Sequence, residues 1–199
     1  VPGDLERLDA AFAAIDAANA GDPHGKEQRD AELAVTWVRK LRPGPPPPDV
    51  LLVAARGHHV RRWEIPRSSY PDGRAGYLRW KRDLQAHHAA ILAPLLSSTG
   101  YRADEVARVQ DIVRKRGLAG ASPDPDVQTL EDALCLVFLQ TQFADLTARL
   151  DGDKMVDILR KSLAKMSDDG KAAALGIAGG LSVQEQALLQ RALGDADEP

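Results

Sequence analysis

Residues 77–96 read YLRWKRDLQAHHAAILAPLL. Tyr77, Trp80, Leu84, His88, Ile91, Leu92 and Leu95 recur at spacings of three and four, the period of one face of an α-helix. Working outward, the same period returns in almost every segment. Leu5, Leu8, Phe12 and Ile15 predict a first helix, led in by Pro2-Gly3-Asp4, which suits a cap. Leu33, Ala34, Trp37, Val38 and Leu41 predict a second, stopped by Pro43-Gly44 and a stiff four-proline spacer. Asp49 is placed to cap a third, whose apolar run Val50–Ala55 implies a central position. Beyond residue 96, helices are expected through Val106–Val113, Leu130–Phe138 and Met155–Met166. A last one follows Ser182, which with Glu185 forms a capping box. No alternating strand pattern and no repeat stands out. The expectation is a single all-α domain over 1–199, of seven to nine helices, with 195–199 a frayed acidic tail.

The composition narrows the function. A net charge of −3 over 199 residues argues against general nucleic-acid binding, which shows as a basic domain. No apolar run reaches the roughly 18–20 residues of a membrane span. Nor does the first stretch have the basic start and apolar core of a signal peptide. The single cysteine, Cys135, lies in an apolar context and reads as a core residue. A cytoplasmic protein without membrane contact is expected.

Against that background, one region is unusual. Four of the five histidines form two doublets, His58-His59 and His87-His88. Between and around them, residues 56–82 hold Arg56, Arg61, Arg62, Arg67, Arg74, Arg79, Lys81 and Arg82 against only Glu64 and Asp72. Trp63, Tyr70, Tyr77 and Trp80 share the segment, and residues 64–76, with two prolines and two glycines, read as a long loop. Imidazole is the commonest metal ligand and a natural acid/base group near neutral pH. Guanidinium offers paired donors to a phosphate, and an aromatic ring offers a stacking face to a base.

The candidate site is therefore a divalent metal held by His58, His59 and His88 with the carboxylates of Asp30 and Asp132. His59, His88 and Asp132 are the candidate catalytic groups. Arg61, Arg62 and Arg67 are candidate phosphate-binding groups, and Trp63, Tyr77 and Trp80 candidate stacking groups. Each has a plainer alternative. His88 on an apolar stripe suits a core histidine bonded to a carbonyl. Thr129-Leu-Glu-Asp132 has the form of a capping box, and Asp111 suits a surface ion pair with an arginine.

Two resemblances follow from these residues. The order of Asp30, the apolar Ala54-Ala55-Arg56-Gly57-His58-His59, His88 through Leu96, and Glu131-Asp132-Ala133 resembles the HD-domain metal-dependent phosphohydrolases over about residues 26–140. That resemblance implies an HD-like core, on which the helices of 153–194 would pack, and a metal-activated water. The sequence departs from the pattern. Asp30 stands for a histidine, His59 for the pair's aspartate, and Arg114-Lys115-Arg116 for a further histidine.

The segments 15–23, 59–67, 75–80, 127–132 and 155–161 are more specifically similar to a family catalogued as domain of unknown function 4202. That likeness implies membership over nearly the whole chain and no activity. Lys165-Met-Ser167 is similar to the nucleotide loop of class I tRNA synthetases. Such enzymes need a parallel sheet, and nothing here reads as one, so a glutamyl-tRNA synthetase is rejected. The expected function is hydrolysis of a nucleotide or other phosphoester, or alternatively non-catalytic binding of a nucleotide or RNA.

Overall fold

A computed structural model describes residues 4–120 and 122–194. The described residues form ten α-helices and three short 3-10 turns, with no strand among them. None of the helices is long and apolar enough to cross a membrane. The all-α expectation holds; the proposed tail and the first three residues lie outside the described ones.

The chain divides into two compact units, residues 1–130 and 131–199. The first holds α1 (Asp4–Asn19), α2 (Glu27–Leu41), α3 (Asp49–Gly57), α4 (Gly73–Ser98) and α5 (Ala103–Val113). Helix α6 (Pro125–Thr141) runs through the boundary. The second unit holds α7 (Phe143–Thr147), α8 (Gly152–Leu163), α9 (Asp168–Ile177) and α10 (Val183–Gly194).

In the first unit α3 is the hub. Every residue from Leu51 to Gly57 is buried, and α1, α2 and α5 all pack on it. A nine-residue helix this apolar gains its stability from burial rather than from its own length. Pro48, not Asp49, occupies its cap position, without a side-chain bond. Asp49 instead pairs with Arg7 at 3.4 Å, because that guanidinium lies between it and Glu105.

The buried stripe of α4 is Leu84, His88, Leu92 and Leu96, each four residues from the last. Tyr77 stays 44% exposed, so the stripe inferred from the sequence is right in its middle and wrong at its start. Leu5 of α1 is likewise exposed.

The long loop expected over 64–76 is shorter than it reads. One 3-10 turn, Arg62–Glu64, ends where it starts, a second, Arg67–Ser69, lies within it, and α4 already begins at Gly73. Gly76 sits against the loop so closely that a Cβ there would lie 1.9 Å from the Pro71 carbonyl oxygen.

The second unit is built on Phe143, Met155, Leu159 and Leu189, all nearly inaccessible to solvent. The strongly amphipathic α8 packs on α10 and α7. Ser182 and Glu185 form the expected capping box, with backbone N–H donors at 2.7 and 3.3 Å. Helices α7 and α9 escaped the periodicity: one is five residues long, and half of the other is alanine and glycine.

Candidate functional site

The histidines are brought together by how α3 ends. Gly57 closes the helix where a Cβ would lie 2.5 Å from the Leu92 side chain of α4, so only glycine lets the two come this near. His58 takes the C-cap position. Three residues later Arg61 adopts the left-handed conformation, φ 52°, which costs an L-residue roughly 1–2 kcal/mol. Its N–H is held by the Asn19 side chain at 3.0 Å. The reversal packs the rings closely. The His58 and His59 ring centres are 4.0 Å apart, those of His59 and His88 5.9 Å, and those of His87 and His88 5.9 Å.

Hydrogen bonding fixes the tautomers. His58 Nδ1 lies 2.8 Å from the Ala55 carbonyl oxygen and His88 Nδ1 2.8 Å from that of Val60. A carbonyl only accepts, so both rings carry their proton on Nδ1 and present Nε2 as a lone pair. His59 has the same tautomer for a different reason. Arg62 Nη1, which can only donate, lies 2.9 Å from its Nε2, leaving the proton on Nδ1, 3.3 Å from Glu27 Oε2. His87 Nε2 faces the Glu64 carboxylate at 3.2 Å and the Arg61 carbonyl at 3.3 Å.

Burial sets the charges. It lowers the His58 pKa to about 4 and that of His88 to about 3, and burial with the neighbouring His58 puts His59 well below the ordinary imidazole value. Loss of hydration penalises the charged form, so these three rings are neutral at pH 7. Burial raises Glu27 to about 6 against the pull of Arg62.

One atom inside this cluster, His88 Nε2, has no hydrogen-bond partner among the described residues, while Glu27 Oε2 is reached by His59 Nδ1 at 3.3 Å. Glu27 lies one helical turn before Asp30, and both are buried on α2. The sequence reading singled out Asp30 and passed over Glu27. The available signal was the i, i+3 spacing of two carboxylates on the face that carries Ala31 and Ala34.

The expected ligands do not all serve. His58, His59 and His88 are neighbours, but His59 has both nitrogens engaged. Asp132 lies in the second unit, where its carboxylate accepts from the Ser167 N–H at 2.9 Å and the Ser167 hydroxyl at 2.5 Å. The capping box supposed at Thr129 does not form, because α6 starts earlier, at Pro125, and Thr129 donates to the Pro125 carbonyl instead. Asp124 receives the first N–H groups. Among the described residues, no three His, Cys, Asp or Glu side chains are arranged to hold one metal ion.

The Lys165-Met-Ser167 tripeptide has structural roles throughout. Lys165 approaches Glu131 at 3.9 Å, Met166 is buried, and Ser167 caps α9 by accepting from the Gly170 N–H. Asp111 pairs with Arg116 at 2.6 Å, as expected.

The three candidate phosphate-binding arginines differ. Arg61 is ion-paired with Glu64, and Arg67 donates to the Tyr70 carbonyl at 2.9 Å. Arg62 donates to a neutral imidazole and lies 5.2 Å from the centre of the Trp80 ring. Of the candidate stacking groups, Trp80 is fixed by donating to the Ile65 carbonyl at 2.9 Å, and Trp63 lies against Gly21. Tyr77 offers the most open ring, with Lys81 over it at 5.7 Å.

No curated protein and no solved structure matches the chain. A family model does match, over residues 9–188, and the chain belongs to that family, described as a domain of unknown function, DUF4202.

Proposed function

We propose that this protein binds a phosphorylated ligand, a nucleotide or other phosphoester, with Arg62 as the principal contact. The observation that carries the reading is the environment of that guanidinium. Its hydrogen-bond partner is the uncharged His59 ring and its stacking partner is Trp80, so an arriving anion displaces a weak neutral partner rather than a carboxylate. Charge-assisted bonds to an oxyanion are roughly twice as strong as neutral ones. Glu27 is near enough to act on His59, and its raised pKa lessens its competition as an anion in mildly acid solution. Tyr77 supplies the ring on which a base stacks, and single-stranded RNA is a further ligand of the same chemistry. A buried lone cysteine suits a reducing compartment, and we assign the activity to the cytoplasm.

Titration calorimetry with ATP and inorganic phosphate tests the reading. Arg62→Ala is expected to keep its helical circular dichroism and lose binding about tenfold or more, while Arg67→Ala binds as wild type. Equal affinity in both variants would move the anion site elsewhere.

A second reading, metal-dependent hydrolysis of the bound phosphoester, has its own support. His58 and His88 are oriented by carbonyls with Nε2 presented, as metal-bound imidazoles are, and His88 Nε2 is buried without a hydrogen-bond partner among the described residues. His58, His88 and Glu27 would hold the ion, which in such sites lowers the pKa of bound water to near neutral. The likeness to HD-domain phosphohydrolases belongs to this reading. The side chains as arranged do not complete a three-ligand set, so binding is preferred. Metal analysis of protein purified without chelator, with bis-(p-nitrophenyl) phosphate turnover on the same sample, decides between them. Stoichiometric metal lost in His88→Gln, together with turnover, would favour the hydrolase.

A further inference from the structure

The second unit contains a cavity of about 650 Å³ between α8, α9 and α10. Its lining is mainly apolar, with Leu163, Leu175, Ala192 and Leu193 forming the walls and Arg160 and Lys171 contributing the cations. Small-molecule sites are commonly 300–1,000 Å³, largely apolar, with a few charged groups that orient the ligand. Leu175 is 54% exposed at this opening, an unusual place for a large aliphatic side chain.

The carboxylates near the cations hold them loosely. Arg160 approaches Asp157 at 3.7 Å and Lys171 approaches Asp168 at 3.6 Å. Asp168 is fully exposed and Asp157 largely so, and ion pairs this long and wet contribute little. A second anion can compete with the exposed Asp168 for Lys171.

We propose that this cavity binds an amphipathic carboxylate, a molecule with a flexible alkyl chain and one anionic head, such as a medium-chain fatty acid. The chain occupies the leucine-lined wall and the head pairs with Lys171 and Arg160. Charge complementarity selects an anion, and the volume suits one alkyl chain better than a helix of roughly 10–12 Å diameter. The site is separate from the Arg62 cluster in residues and in ligand chemistry.

The test is calorimetric titration of the full chain with dodecanoate, with dodecanol and inorganic phosphate as comparison probes. Dodecanoate is expected to bind once per chain and dodecanol much more weakly. Leu175→Asp abolishes this binding, and Lys171→Glu weakens it about tenfold. Leu175 is exposed and Lys171 half-exposed, so circular dichroism should be unchanged. Arg62→Ala should leave dodecanoate affinity intact, which keeps this outcome distinct from failure of the phosphate reading. Three results would overturn the proposal: no dodecanoate binding, equal binding of dodecanol, or affinity unaffected by either substitution. Sedimentation revealing a dimer that Leu175→Asp dissociates would overturn it too, by assigning the face to a second copy of the chain.

Discussion

A buried aspartate of the C-terminal unit and a buried histidine of the N-terminal unit are treated in opposite ways. In the C-terminal unit the Asp132 carboxylate accepts two bonds from Ser167, one to each oxygen, and Ser167 in turn caps α9. In the N-terminal unit His88 Nε2 is equally hidden, yet among the described residues no hydrogen bond reaches it. An unmade bond in the interior costs about 1–3 kcal/mol. A fold that bears that cost inside a cluster of histidines keeps the atom available for something other than stability. A buried acid thus serves architecture in one unit, and a buried imidazole availability in the other.

Acid breaks the comparison most strongly. Each of His58 and His88 is neutral when folded and protonates near its ordinary value when unfolded, so the unfolded chain binds more protons below about pH 6.5. Their contribution is intact above that pH and is lost as pH falls toward about 4. Glu27, raised to about 6, works the other way: its contribution is present below about 4.5 and lost as pH rises through 6. From pH 7 to pH 5 the two histidines together remove about 4 kcal/mol and Glu27 returns about 1 kcal/mol. Urea unfolding at the two pH values should show a net loss of at least about 3 kcal/mol, since His59, also kept neutral by burial, acts in the same direction. In His88→Gln the loss should shrink by about 2 kcal/mol. A flat profile in wild type would mean that the rings are not neutral and buried.

Asp132→Ala sharpens the contrast from the other side. It leaves the Ser167 N–H and hydroxyl without their acceptor and should cost about 2–3 kcal/mol in urea unfolding, with no effect on phosphate binding. A loss of phosphate affinity in a variant that remains fully folded would contradict the structural role given to this aspartate.

The smallest effect is expected at the turn. Arg61→Gly relieves a left-handed residue and removes an exposed ion pair worth about 0.5 kcal/mol. The balance should be a gain of about 0.5 kcal/mol, read as a slightly higher urea midpoint. A clear loss would show that the Arg61 side chain holds the histidine turn in place.

Much of this was legible in the sequence. The helical period of α2, α4, α5 and α8, the burial of His88 and the cap at Ser182 follow from local pattern. Helix ends and stripes led to the expectation that His59, His88 and Asp132 meet with His58 close by; the three histidine rings are neighbours, and Asp132 bonds to Ser167. Glu27 was not expected, because a glutamate in the first turn of a helix is ordinary, and only tertiary packing buries it. The partner of Asp132 was equally hidden: Ser167 is 35 residues away, and a local capping pattern at Thr129 offered a nearer explanation. The arginines were readable as a group, but which of them is neutral-partnered depends on the rotation of single side chains about the turn at Arg61.

Gly76 has a consequence for how this family varies. A methyl group at that position would collide with the Pro71 carbonyl, a backbone atom that no rotamer change can move. Position 76 therefore tolerates no substitution unless the proline-bounded segment before it is rebuilt at the same time. A relative with another residue at this position should also differ in length or in proline placement over 66–72. Such a sequence would start α4 at a different point, turning each later residue of the helix to a new bearing. The histidine twelve positions downstream would then face another direction, so inherited change at this glycine and at His88 should occur together.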